Sequence, residues 1–128
     1  MPEPTDIRAT VLMVEDNAEV LMFGATVLEE GGYAVITATS GDEALRRIHA
    51  GERIDLLFAD VVMPGGLDGA ALAVAVGELR PGTPVLLTTG WAERAAELVG
   101  DREPWPLIGK PYRSIDLLRK VEALLAGK

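Results

Sequence analysis

Thr10-Val11-Leu12-Met13-Val14-Glu15-Asp16-Asn17 is the stretch that decides the fold. Thr10 to Val14 is a short, continuous apolar run, as expected of a strand covered on both faces, and it stops at two consecutive carboxylates. Asp16-Asn17 then supplies acceptors for the start of a helix that runs to about Glu30, where Gly31-Gly32 ends it. A buried strand that feeds a helix through a short turn is the first half of a strand-helix-strand unit around a parallel sheet.

The same alternation continues to the end of the chain. Tyr33 to Ala38 reads as a second strand, and Ser40-Gly41-Asp42-Glu43 has the Ser-x-x-Glu spacing of a capping box, opening a helix that ends near Gly51. Leu56-Leu57-Phe58-Ala59 is the third strand. After Asp60 comes a loop rich in Pro and Gly, Val61-Val62-Met63-Pro64-Gly65-Gly66-Leu67-Asp68-Gly69, then an alanine-rich helix to about Leu79. Arg80-Pro81-Gly82-Thr83-Pro84 stops that helix and feeds a fourth strand, Val85 to Thr88. Ala92 to Val99 has helical composition but is short, and Asp101-Arg102-Glu103-Pro104-Trp105-Pro106 cannot continue a helix, so a reduced or a mobile fourth helix is expected there. Leu107-Ile108-Gly109 is a brief fifth strand. Ser114 is expected to cap a last helix whose Leu117, Leu118, Val121, Leu124 and Leu125 repeat at helical spacing.

Composition narrows the function classes. With 128 residues, 48% hydrophobic and 25% charged, the chain suits one globular domain, expected over residues 8–126 behind a tail of residues 1–7. No apolar run approaches the ~20 residues needed to span a bilayer. Met1-Pro2-Glu3-Pro4-Thr5-Asp6 lacks the basic head and apolar stretch of a secretory signal, and there is no cysteine, so a cytoplasmic location is expected. Twelve Lys and Arg against 20 Asp and Glu give a formal charge of −8, a field that repels nucleic acid phosphates and anionic lipid. Neither nucleic acid nor membrane is an expected partner, and the Arg46-Arg47 pair is too small to reverse that.

In an open parallel sheet, ligands bind beyond the carboxyl ends of the strands. Here those ends carry Glu15-Asp16, Asp60, Thr88-Thr89 and Lys110. A single strand-end Asp is more often a turn or cap residue than a reactive one, but several such ends together are harder to assign to capping. Three carboxylates converging in one crevice need raised pKa values or a cation. With oxygen ligands that cation is hard, and Mg²⁺ takes one or two carboxylates, a backbone carbonyl and waters, matching the acidic pair, Asp60 and the carbonyl near Val62. A phosphoryl group then becomes a natural visitor, with Lys110 and a threonine hydroxyl completing its cradle.

At this point the chain resembles the receiver domain of two-component response regulators. The resemblance runs from Val11 to Leu125 and rests on an ordered set: Val14-Glu15-Asp16, Asp60-x-x-Met63-Pro64, Thr89-Gly90 and Lys110-Pro111. It implies that Asp60 takes a phosphoryl group from a phosphohistidine of a sensor histidine kinase or phosphotransfer protein. It also implies that Asp16 ligates Mg²⁺ directly, Glu15 through water and Val62 through its carbonyl, with Asp60 completing the set. Lys110 would pair with the acceptor carboxylate and then with its phosphoryl oxygen, ahead of a cis peptide into Pro111. Thr89 falls at the family's switch hydroxyl, which leaves Thr88 a structural residue. The fold implied is a flavodoxin-like three-layer α/β sandwich with a five-stranded parallel sheet in order 2-1-3-4-5. Output would pass through contact with a downstream protein or a second copy of the chain, and no enzymatic activity is expected beyond self-catalysed phosphorylation and dephosphorylation.

Two departures from the family pattern carry expectations. The loop from Pro64 to Gly69 is one residue longer than usual, a variant resembling receivers attached to hybrid sensor kinases, so a free-standing regulator and a hybrid-kinase module are both readings. Leu107 stands where an aromatic usually couples to the switch hydroxyl, which directs the expected signal through the Trp91 to Pro106 segment instead. A haloacid-dehalogenase-type phosphohydrolase would need a second Asp where Val62 stands. An FMN carrier would offer hydroxyls and amides in place of Glu15 and Asp16. His49 reads as an ordinary helical histidine, and Met13, Met22 and Met63 as gap-fillers. Trp91 and Trp105 read equally as a partner-binding patch or as core caps.

Overall fold

The computed structural model describes residues 7–63, 67–90 and 105–127. Five strands, β1 (Thr10–Val14), β2 (Ala34–Ala38), β3 (Leu56–Asp60), β4 (Val85–Thr89) and β5 (Leu107–Gly109), form one sheet. Its order is β2-β1-β3-β4-β5 with every pairing parallel. Among the described residues the helices are α1 (Ala18–Glu30), α2 (Gly41–His49), α3 (Gly69–Leu79) and α4 (Ser114–Ala126). The expected three-layer α/β sandwich with the 2-1-3-4-5 sheet is the observed fold. None of the described helices is long and apolar enough to cross a membrane.

Strand alternation divides the apolar runs between two cores. Leu12, Val14, Leu57, Ala59 and Leu87 point to one face and pack with Ala44 and Ile48 of α2 and Leu72, Ala73 and Val76 of α3. Val11, Met13, Leu56, Phe58 and Leu86 point to the other and pack with Val27 and Leu28 of α1 and Leu117 and Val121 of α4. Every residue of β3 and β4 is buried, which is why their sequences read as unbroken apolar runs. These central strands therefore present their carboxyl ends from a rigid base.

Local chemistry sets the helix ends, with three corrections to the sequence reading. Asn17 caps α1, its Oδ1 accepting from the N–H groups of Glu19 (3.0 Å) and Val20 (3.1 Å). At the other end Gly32 takes φ +96°, and the N–H groups of Gly32 and Tyr33 donate to the carbonyls of Glu29 and Leu28. Tyr33 is consumed by that helix stop, so β2 begins at Ala34 rather than Tyr33. Ser40 Oγ accepts from Glu43 N–H at 3.1 Å, but the Glu43 carboxylate reaches back one residue further than a capping box requires, to Thr39 N–H at 2.6 Å. Ser114 does not cap α4. Arg113 occupies the cap in extended conformation, and its carbonyl takes the N–H groups of Asp116 and Leu117 while its guanidinium holds Asp116 at 2.9 Å.

Met13 and Met63 fill core space, whereas Met22 is 71% exposed on α1 and fills none. Val20-Leu21-Met22-Phe23 is a consecutive apolar run, and on a helix such a run cannot all face one side. His49 is exposed. Trp105 is partly buried, packing against the core on the α3 side. Trp91, the span 92–99 and residues 64–66 of the longer loop lie outside the described residues, as does nearly all of the segment expected to carry the signal.

Candidate functional site

The four reactive strand ends meet at one edge of the sheet. Because β1 and β4 both pair with β3, the carboxyl ends of β1, β3 and β4 are neighbours, and Lys110 follows β5 beside them. Carboxylate oxygens of Glu15, Asp16 and Asp60 lie within 4.8 Å of one another. Glu15 and Asp60 are buried, at 1% and 5% exposure, while Asp16 is exposed at the mouth.

Lys110 reaches into this group. Its Nζ donates to Asp60 Oδ2 at 2.6 Å and stands 2.9 Å from Glu15 Oε1. The second oxygen of each carboxylate is held by backbone: Asn17 N–H donates to Glu15 Oε2 at 3.1 Å, and Val62 N–H to Asp60 Oδ1 at 3.0 Å. Lys110 is itself located by its N–H, which donates to the Thr89 carbonyl at 2.9 Å, and the peptide joining it to Pro111 is cis, as expected.

Burial pushes the Glu15 carboxyl above its ordinary pKa, and the neighbouring Asp60 charge adds to that, against the stabilising contacts from Lys110 and Asn17 N–H. For the Lys110 ammonium, burial acts downward, but Asp60 and Glu15 outweigh it and hold the group above the ordinary lysine value. One ammonium among three carboxylates leaves negative charge uncompensated. An all-oxygen donor set with that surplus suits a hard divalent cation such as Mg²⁺, and Glu15, Asp16 and Asp60 are the groups brought together to hold it.

The two threonines sit differently from each other. Thr88 is in register with Asp60, and its buried hydroxyl has no hydrogen-bond partner among the described residues. Thr89, also buried, is in register with Gly109 one step further along β4. Tyr112 was not singled out from the sequence. It packs its ring edge-on to Phe58 at 5.7 Å and against Phe23 at 5.8 Å, and burial together with the Glu15 and Asp60 charges pushes its phenol up to about 12. Its position directly after Lys110-Pro111 is the only sequence signal that could have marked it. Beside it, Glu19, Val20, Phe23, Lys110, Pro111 and Tyr112 line an apolar hollow of about 320 Å³.

Comparison with known proteins gives a single picture. Residues 11–122 match the family model described as response regulator receiver domain. The chain is 35% identical over 120 residues to the sensor kinase CckA of Brucella abortus, an alignment covering 91% of this chain and 12% of that kinase. It spans less than a fifth of the length of that kinase and of GlrR, a transcriptional regulatory protein of Escherichia coli. Among solved structures it is similar to a response regulator receiver protein from Sinorhizobium medicae (TM-score 0.82, 26% identity, 92% of this chain and 94% of that one). It is also similar to the signal receiver domain of a signal transduction histidine kinase from Syntrophus aciditrophicus (TM-score 0.80, 31% identity, 93% and 91%).

Proposed function

Because the chain belongs to the response regulator receiver domain family of two-component signalling, we propose that it accepts a phosphoryl group on Asp60 from a phosphohistidine, with Mg²⁺ bound. The observation that carries this reading is the buried Asp60 carboxylate, held by Lys110 Nζ at 2.6 Å and by Val62 N–H at 3.0 Å inside a cluster of three carboxylates. These contacts fix the carboxylate for in-line attack. An Asp60 oxygen forms the new P–O bond, the P–N bond to the donor imidazole breaks, and the electron pair leaves with the nitrogen. Lys110 then follows the charge from the carboxylate onto a phosphoryl oxygen. Glu15, Asp16 and Asp60 would hold Mg²⁺, which would supply neutralisation of the negative charge in this transfer. Water later hydrolyses the acyl phosphate and returns the free carboxylate.

Glu15 and Asp16 act in this reading as the acidic half of the cation site, with Val62 contributing its carbonyl, and Thr89 contacts the phosphoryl group. The functional unit is residues 8–126, acting in the cytoplasm as a phosphoacceptor with no other catalytic activity. Its donor is a protein, and the exposed Met22 and Phe23 of α1, beside the hollow next to Lys110, form the surface that receives it. The chain is about equally similar to a sensor kinase and to transcriptional regulatory proteins, so a hybrid-kinase module and a free-standing regulator are both readings.

Incubation with Mg²⁺ and acetyl phosphate tests the reading. An added phosphoryl mass is expected that disappears in Asp60→Asn and in excess chelator. A mass that persists in either control removes Asp60 or the cation from the reaction.

A further inference from the structure

We propose that Gly69, the first residue of α3, is a positioning residue for the acceptor, because its missing side chain lets the helix start rest directly on the Asp60 backbone. The proposal relies on Asp60 being the phosphoryl acceptor. A Cβ built on Gly69 would collide with the Asp60 carbonyl oxygen and would lie 2.8 Å from both the Asp60 carbonyl carbon and Val61 Cα. All of these are backbone atoms, so no side chain can rotate away to make room.

The strand beneath cannot yield. β3 is buried along its whole length and hydrogen-bonded between β1 and β4, and Val61 N–H continues that ladder to the Thr88 carbonyl at 2.8 Å. On the helix side, Gly69 N–H donates to the Val61 carbonyl at 3.0 Å, and Asp68 caps α3 through Ala71 N–H at 2.8 Å. The displacement forced by a side chain therefore falls on Val61 and Val62, which follow the strand. Val62 N–H fixes Asp60 Oδ1, and the Val62 carbonyl is the one assigned to the cation in the reading above. Gly69 thus sets the acceptor carboxylate through Val62 without touching substrate or cation.

Gly41 provides the comparison. A Cβ there would stand 2.7 Å from the Leu67 carbonyl oxygen, again backbone, but its nearest atoms all belong to Leu67 and none to Asp60 or Val61. Both alanine variants should lower stability. Only Gly69→Ala should weaken Mg²⁺ binding in titration calorimetry, by about tenfold, the usual effect of disturbing a group that orients a ligand. It should also move the Val62 amide and Asp60 carboxyl NMR shifts in metal-free protein. Should Gly69→Ala not fold, Val62→Pro, which deletes the N–H at Asp60 Oδ1, is expected to give the same loss of affinity.

Wild-type affinity with unmoved Val62 and Asp60 signals in Gly69→Ala would overturn the proposal. So would equal weakening in Gly41→Ala, or wild-type affinity in Val62→Pro. If the wild-type protein itself neither binds Mg²⁺ nor accepts phosphate, the functional reading fails, and the metal-free shifts still decide whether Gly69 positions Asp60.

Discussion

Lys110 and Asp60, fifty residues apart in sequence, are joined at 2.6 Å across the carboxyl edge of the sheet. The pair does more than hold Asp60, because the same ammonium compensates buried Glu15 at 2.9 Å. Two carboxylates share one cation, and removing that cation strands both.

Lys110→Met should therefore cost about 3 kcal/mol near neutral pH, the range for breaking a buried ion pair from one side. The loss should shrink on acidification. Glu15 already binds its proton more tightly in the fold than in the unfolded chain, so the folded form gains relative stability as pH falls toward the ordinary glutamate range. Denaturant titrations across that range check this, and Glu15→Gln added to Lys110→Met should recover part of the loss.

Tyr112 should resist ionisation well beyond the ordinary tyrosine value, and Tyr33 is shifted in the same direction. Burial raises both phenols, Tyr112 to about 12, with the Glu15 and Asp60 charges acting in the same direction on Tyr112. A folded pKa above the unfolded one gives a contribution that is complete below about pH 10 and is lost as pH rises through the folded value. Ultraviolet titration should show tyrosinate appearing together with alkaline unfolding; free titration of both groups near pH 10 in folded protein would contradict the packing described.

Asn17→Ala should destabilise the protein by about 1 kcal/mol through loss of the α1 cap. Mg²⁺ affinity should hold, because Asn17 reaches Glu15 by its backbone N–H, which alanine keeps. Thermal denaturation paired with calorimetric titration separates the two effects.

Thr88→Val should stabilise by about 1 kcal/mol, since it replaces a buried hydroxyl that has no partner among the described residues with a methyl of similar shape. Phosphorylation should proceed as in the wild type. Thr89→Val should instead shorten or lengthen the life of the phosphorylated form while leaving its formation intact. Decay of the phosphoryl mass over time measures both, and an altered lifetime in Thr88→Val alone would move the switch hydroxyl to the residue in register with Asp60.

The two variants also mark where the sequence stops being informative. Apolar runs at Thr10 to Val14, Leu56 to Ala59 and Val85 to Leu87 announce strands buried on both faces, and the reactive residues following them mark one edge of the sheet. That much is local, because burial period and turn chemistry are written in neighbouring residues. Glu15 and Asp16, by contrast, are adjacent and chemically alike, yet one is buried against Lys110 and the other faces out. Met22 looks like core by type and is exposed, and Ser114 looks like a cap while Arg113 takes the position. Gly69 reads as a loop residue until its distance to the Asp60 backbone is known. By itself the sequence determined the strands, the parallel α/β architecture and the set of groups at its edge. Only the tertiary structure decided which groups pair, which are buried and which backbone must pass without a side chain. Those outcomes depend on the register of strands brought together from distant parts of the chain, and no local pattern encodes that register.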